Sequence, residues 1–485
     1  MTPAGRIAAA IELLAGIEAA PKRPADAVAN DFFRARRFIG AGDRRAVSER
    51  AWGVLRARRR LGWWLARAGA DPAPQGPTPQ GLMPQGPAPQ GQTLEGPAPE
   101  GPTPRTLVAA ALLFDGWTPS GVAQAFSGGK FAAAPLSAAE QEALAQLAGH
   151  TLEHPAMPDA VRLEVPDWML PRLAARFGPA LGAELGALLD PAPLDLRANL
   201  LKASRAEVQA ALAAEGFAAT PTPFSPWGLR LPGRRPVTAG PAFQSGLVEI
   251  QDEGSQLVAL LTDARPGMRV ADLCAGAGGK TLALAMTMQN RGHIAACDVS
   301  APRLDAAVRR FRRAGAHNIE RHLLGPGDKW LRRHAGGFDR VLVDAPCTGT
   351  GTWRRNPDAR ARLTETDLAE LVVRQAALLD DAAPLVRKGG RLVYATCSLF
   401  AEENEVQVQA FLDRHAAFAL VPLARAWPLV ASPSAGPPSG ESPSEGSPSV
   451  GSPGLGPPCP GETLALTPRQ HGTDGFFAAV LERSA

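Results

Sequence analysis

The sequence predicts an α/β protein: a doubly wound parallel sheet in the C-terminal half, preceded by a small α+β module and an all-α N-terminal domain. Three observations carry this expectation. From about residue 246 onward, strand-like and helix-like segments alternate, the pattern of a parallel sheet with helices on both faces. Residues 5–67 and 105–150 are rich in Ala and Leu with little β-branching, as packed helices are. Between these parts, residues 190–245 mix short strand-like pieces with one capped helix.

The helical domain is expected over residues 1–150. It opens on RIAAAIELLAGIEAA, where Ile7, Ile11 and Leu14 recur at helical spacing beside Arg6 and Glu12. That is an amphipathic helix rather than a secretion signal. Between Arg34 and Arg67 lie eleven arginines and two acids, with Trp52, Trp63 and Trp64 interleaved. Two readings stay open for this cluster: a basic surface facing RNA, or a solvated helix face over a tryptophan-anchored core. Residues 72–105 repeat a five-residue unit, PAPQG, PTPQG, LMPQG, PAPQG and variants. Their apolar content is too small to offset the entropy of ordering. They are expected to form a disordered Pro/Gln/Gly insert between helices, with a docking motif as the other reading.

A small α+β linker module is expected over residues 160–245. LDLRANLL reads as a strand, and Ser204 with Glu207 forms a capping box that opens a helix over 205–214, since each side chain satisfies the other's orphan backbone donor. TPTPFSPWGLRLPG adds further strand-like pieces.

The sheet domain is expected over residues 246–485. Its strand candidates are RVADLC (269–274), HIAACD (293–298), the Leu323 region, FDRVLVDAP (338–346) and GRLVYATCS (390–398), with helices over 282–290, 301–314 and 367–383 between them. GFFAAVLER (475–483) supplies a last strand with no helix after it, expected near the sheet edge. Residues 431–461 are Ser/Pro/Gly-rich and are expected to be a second disordered insert.

Bulk numbers bound the function. The net charge of +4 comes almost wholly from Arg, only six of the 51 basic residues being Lys. Arg suits phosphate because its planar fork binds oxyanions in pairs. The five cysteines, Cys274, Cys297, Cys347, Cys397 and Cys459, include no CxxC pair. Neither a zinc site nor a disulfide framework is expected, and the setting read from this is reducing and cytoplasmic. No run of about 20 apolar residues exists to span a membrane, so no membrane partner is expected.

VADLCAGAGGKT, residues 270–281, reads as strand, glycine-rich turn, helix. Such a turn brings backbone N–H groups close to a ligand. A phosphate-binding loop of the nucleotide triphosphatases needs Gly five residues before the Gly-Lys pair, and Cys274 stands there. A dinucleotide fingerprint from Gly276 needs Gly at 281, and Thr281 stands there. Asp298 ends the next strand, 22 residues after Gly276, where it can hold a ribose diol. A nucleoside-containing cofactor is therefore expected in this Rossmann-like sheet.

Cys347 lies just past one strand, in VLVDAPCTGTGTWRRNPD, and Cys397 just past another, in LVYATCS. In open α/β sheets the ligand crevice lies outside the carboxyl ends of the strands, and Cys274 shares that edge. One reaction class wants this arrangement. Carbon 5 of cytosine is a poor nucleophile, but a thiolate that adds to C6 makes C5 an enamine carbon able to take a methyl group from a sulfonium. Cysteine is the strong nucleophile for that addition. Asp344, three residues before Cys347, can face N3 of the ring or accept from its amino group.

DLCAGAGGKT, DAPCTGTG…RRNPD and ATCS, in that order, resemble the RsmB/Nop-type (Sun) RNA cytosine-C5 methyltransferases, and so do QDEGSQL (251–257) and GTDGFF (472–477). The resemblance covers about 240–485 and extends more weakly to 1–150, which is similar to the NusB-like helical domain of the RsmB branch. It implies S-adenosylmethionine as cofactor, contacted at Cys274, Ala275, Gly276, Ala277, Gly278, Gly279 and Lys280, and at Asp298, Asp328 and Asp344. It implies Cys397 as nucleophile and Cys347 as the cysteine that assists product release. It also implies RNA as partner, namely small-subunit (16S) rRNA, and a monomer. One departure is visible: the family's Ala-Pro-Gly-Gly-Lys is Gly276-Ala277-Gly278-Gly279-Lys280 here, a turn without the stiffening Pro. Competing readings are a DNA cytosine-C5 methyltransferase with Cys347 as nucleophile, a non-enzymatic RNA-binding assembly or antitermination factor, and, more remotely, a nicotinamide dehydrogenase.

Overall fold

The structure, a computed structural model, describes residues 1–69, 101–233, 235–325, 327–428 and 456–484. Nearly all of both low-complexity inserts, 72–105 and 431–461, lies outside the described residues. The chain forms two compact units: Met1–Leu170 with Asn356–Arg362, and Pro171–Arg355 with Leu363–Ala485.

The first unit is helical. Helices Pro3–Glu18, Ala25–Ala35, Ala41–Arg56, Arg58–Gly69, Pro104–Phe114, Pro119–Ala125 and Ala138–Leu147 make up most of it. Three begin on a threonine cap followed by Pro, at Thr2, Thr103 and Thr118. There the hydroxyl takes an orphan N–H, and Pro has none to leave unpaired. The core gathers Leu13, Leu14, Val54, Leu107 and Val108 around buried Trp52 and Trp64. The arginine cluster is largely paired within this unit. Arg34, Arg36, Arg50, Arg58, Arg59 and Arg60 meet Asp31, Glu12, Asp115, Glu18, Asp167 and Glu164. That pattern favours the helix-face reading over the phosphate-facing one.

The second unit contains both sheets. Strands β1 (Leu194–Ala198), β2 (Thr220–Pro221), β3 (Gly228–Leu231) and β4 (Val248–Ile250) form an antiparallel sheet in the order β2-β3-β1-β4. The capping box at Ser204 and Glu207 opens helix Arg205–Ala214. β4 lies past residue 245, so this small sheet runs further along the chain than the sequence suggested.

The large sheet takes β5 (Arg269–Asp272), β6 (His293–Asp298), β7 (Ile319–Leu323), β8 (Phe338–Asp344), β9 (Val386–Thr396), β10 (Phe418–Leu420), β11 (Leu464–Leu466) and β12 (Phe476–Arg483). Its order is β10-β12-β9-β8-β5-β6-β7, with β11 paired to β12. β5 to β9 are mutually parallel, and Val270 and Ala271 feed the cores on opposite faces. This is the doubly wound Rossmann-like fold. The last strand lies near the edge as expected but does not form it: β12 runs antiparallel between β9 and the edge strand β10. The reason is in its burial. Phe476 through Leu481 are all buried, and a strand apolar on both faces belongs inside a sheet. Helix boundaries also shift. The helix expected over 282–290 runs Gly279–Thr287, because Gly278 caps it in the left-handed region at φ +79°. Among the described residues no helix is long and apolar enough to cross a membrane.

Candidate active site

Strand order reverses between β5 and β8, and ligands sit outside the carboxyl ends at such a switch point. Every site candidate on β5, β6, β8 and β9 falls at that edge.

The turn after β5 is shaped by glycine. Gly276 (φ +54°) and Gly278 (φ +79°) lie in the left-handed region, which favours residues without Cβ. At Gly278 a Cβ would also strike the Phe311 ring and Ala307. The turn is bound to its surroundings: Ala275 N–H donates to Cys297 O at 2.9 Å, and Gly278 N–H to Ala275 O at 2.8 Å. Asp298 accepts from Gly276 N–H and from Ser300 N–H, both at 2.8 Å. Two arginines hold the turn's carbonyls. Arg310 donates to Ala277 O at 2.7 Å, and buried Arg197, from β1, to Gly279 O at 2.8 Å. Ala277 thus keeps its place without Pro.

Under the turn, Asp272 is buried and accepts from Thr281 Oγ1 at 2.7 Å. Its Oδ1 is buried with no donor. Burial pushes its carboxyl up to about 7, against the Thr281 hydrogen bond and with the help of Asp344. Lys280 donates to Asp344 Oδ2 at 2.7 Å. Burial disfavours the ammonium, but Asp344 and the Cys397 sulphur outweigh it, and the lysine pKa lies above its ordinary value. Burial pushes the Cys274 thiol far up, so Cys274 is inert as a nucleophile.

Cys347 and Cys397 meet. Their Sγ atoms are 3.5 Å apart, and Cys397 N–H donates to Cys347 Sγ at 3.3 Å. The hydrogen bond to Cys397 raises the Cys347 thiol well above its ordinary value, with burial and the charges at Cys397 and Glu403 adding to it. The hydroxyls on either side of Cys397 fasten its loop. Thr396 Oγ1 donates to Asn404 Oδ1 at 2.5 Å, Asn404 Nδ2 donates to Ser398 O at 2.9 Å, and Ser398 Oγ donates to Glu403.

Asp328 stands apart, past β7. Its carboxylate takes Trp330 N–H at 2.9 Å and His322 Nε2 at 2.7 Å, and the Trp330 donor followed by His322 holds its pKa low. The structure thus gathers Cys274–Lys280, Asp298, Asp344, Cys347 and Cys397 at one edge, while the bonds of Asp328 are local. Sequence reasoning missed Glu403, Asn404, Asp272 and the two arginines. The acid-rich AEENE that begins four residues after Cys397 was the available signal for the first pair.

The three motifs without a role also come together. Arg355 donates to Asp474 Oδ2 at 2.5 Å and to Asp252 Oδ2 at 2.8 Å. RRNPD, GTDGFF and QDEGSQL therefore share one buried charge cluster behind the cysteine loops. Gly351 and Gly475 touch there so closely that a Cβ on either would strike the other's backbone.

Residues 259–482 match the family model described as 16S rRNA methyltransferase RsmB/F, and residues 165–238 match the RsmF/B-like ferredoxin-like domain. A probable ribosomal RNA small subunit methyltransferase B of Synechocystis sp. is 35% identical over 324 residues, covering 66% of this chain and 67% of that protein. Other relatives named as methyltransferase B are matched over 58% to 60% of their length. The crystal structure of PH0851 covers 100% of this chain and 99% of its own at a TM-score of 0.71 and 24% identity, a likeness of fold. A methyltransferase homolog from Pyrococcus horikoshii covers 68% of this chain and 100% of its own, at a TM-score of 0.54 and 31% identity. The chain belongs to the RsmB/F family of 16S rRNA methyltransferases, and its cofactor is S-adenosylmethionine.

Proposed function

We propose that this S-adenosylmethionine-dependent rRNA methyltransferase methylates C5 of a cytosine in small-subunit rRNA, with Cys397 as nucleophile. The observation that carries the reading is the cysteine pair, 3.5 Å apart at the ends of β8 and β9 and beside the glycine turn.

The residues fit the cofactor. Gly278 lets the turn pack closely on Phe311 and Ala307, Asp298 lies at the end of β6, and Asp272 keeps one buried acceptor free beneath the turn. The turn Cys274–Lys280 with Asp298 would hold it, joined by Asp344 and, from the neighbouring strand end, by Asp328. When bound, S-adenosylmethionine supplies a methyl group on a sulfonium. The chain's part is to activate and release the base. Cys347, held as the thiol, donates to the Cys397 sulphur and steadies it as thiolate. Cys397 adds to C6 of a base splayed from its stack, which makes C5 nucleophilic. Asp344, oriented by Lys280, faces N3 or the amino group of the ring. Water then takes the C5 proton, the electron pair left behind re-forms the C5–C6 double bond, and the Cys397–C6 bond breaks with the sulphur leaving as thiolate, to which the Cys347 thiol donates again.

Bisulfite mapping of small-subunit rRNA from cells with and without this protein tests the reading. One cytosine that is protected only when the protein is present is the expected result. Protection that does not depend on the protein would refute it.

A further inference from the structure

The Glu403 carboxylate takes no part in the chemistry above, yet it binds both cysteine loops. Glu403 is fully buried. Its Oε1 accepts from Thr348 N–H at 2.8 Å and from Gln375 Nε2 at 2.9 Å. Its Oε2 accepts from Thr348 Oγ1 and Ser398 Oγ. Thr348 follows Cys347, and Ser398 follows Cys397. The acid itself is pinned: its carbonyl accepts from the Tyr394 hydroxyl at 2.6 Å. Hydrogen bonds to an ionised acceptor are the strong ones, and four of them here converge on one side chain.

We propose that Glu403 is the positioning residue of the cysteine pair: it ties the residue after each cysteine to one buried negative charge, fixes the approach of the two sulphurs, and holds Cys347 as the thiol that donates to Cys397. This rests on the cysteine roles proposed above. A negative charge beside a thiol favours its neutral form. Cys347 is faced by Cys397 just past β9, by Tyr394 on β9, whose phenol burial keeps neutral, and by Glu403 from the turn after it; the hydrogen bond to Cys397 raises the thiol most, then burial and the charges at Cys397 and Glu403. The Gly349 backbone opposes them, and Lys280, paired with Asp344, stands toward Cys397. Of these groups, Glu403 alone is bonded to both loops.

The test is the pH dependence of Cys347 alkylation by iodoacetamide, in the full chain carrying Cys397→Ala, read by peptide mass so that the other cysteines are separated. Glu403→Gln keeps the shape and removes the charge. It should move the alkylation midpoint down and raise the rate at pH 8 about tenfold, the effect of one pK unit. An unchanged profile overturns the proposal. Because this reads no turnover, it is independent of the cysteine roles, whose own failure would show as turnover surviving Cys397→Ala. If Glu403→Gln does not fold, Thr348→Val takes its place, and the amount of protein trapped covalently on rRNA becomes the readout. Thr348→Val should raise that amount several-fold, and Thr348→Ser, which keeps the hydroxyl, should return it to the unsubstituted level. Equal trapping in the two Thr348 variants overturns the proposal.

Discussion

At the scale of single residues, the site is a set of acids with different duties. Asp298 accepts Gly276 N–H, which joins the glycine turn to β6, and Ser300 N–H just past its own strand. Asp298→Ala should weaken S-adenosylmethionine binding by about 1.5–3 kcal/mol, the cost of losing charged hydrogen bonds. Calorimetry checks this, and unchanged affinity would remove Asp298 from the site. Asp272 is different, because its carboxyl titrates near 7 rather than near 3.8. A carboxyl whose folded pKa is raised binds protons that the unfolded chain has released, so stability falls as pH rises from about 4 to about 7. Asp272→Asn removes that slope. Its stability relative to the unsubstituted chain should therefore improve by a few kcal/mol between pH 4 and pH 8. Urea unfolding at the two pH values checks it, and parallel curves would contradict it.

At the scale of elements, the strands and their edge were legible, and their neighbours were less so. Alternation located β5 to β9, and the polar ends of those strands pointed to one crevice. The place of β12 near the sheet edge was legible, but not that β10 lies outside it, although the unbroken apolar run of β12 carried that information. The boundary of helix Gly279–Thr287 depended on one glycine's left-handed φ, which spacing does not report. The arginine cluster was illegible for another reason. Partners such as Glu12, Asp115, Glu164 and Asp167 are distant in sequence, and only folding brings them to Arg36, Arg50, Arg60 and Arg59. A consequence follows for Arg58 and Arg59. Their pairs with Glu18 and Asp167 are partly exposed, and such pairs are worth about 0–1 kcal/mol each. The double substitution Arg58→Glu/Arg59→Glu should cost no more than about 2–3 kcal/mol. It should leave the salt dependence of rRNA affinity nearly unchanged. A markedly flatter salt slope would restore the phosphate-facing reading.

At the scale of the whole molecule, the fold mounts two reactive sulphurs on adjacent strand ends and fastens them from behind with Glu403, Asn404 and the Arg355–Asp474–Asp252 cluster. The pentapeptide insert is too poor in apolar residues to build a core of its own. Deleting residues 72–100, which spares the Thr103 cap of helix Pro104–Phe114, should leave methyl transfer to naked rRNA intact. A folded deletion chain that cannot methylate would show that the insert contributes. The two cysteines carry the proposed chemistry. The most direct measurement is a denaturing gel of protein incubated with rRNA and S-adenosylmethionine, run for Cys397→Ala and Cys347→Ala side by side. Cys397→Ala should lose both methyl transfer and any covalent complex. Cys347→Ala should still attack and methylate but stall at release, so that protein accumulates on RNA as a slow band. Absence of an adduct in Cys347→Ala, together with turnover that survives in Cys397→Ala, would contradict the account and exchange the two roles.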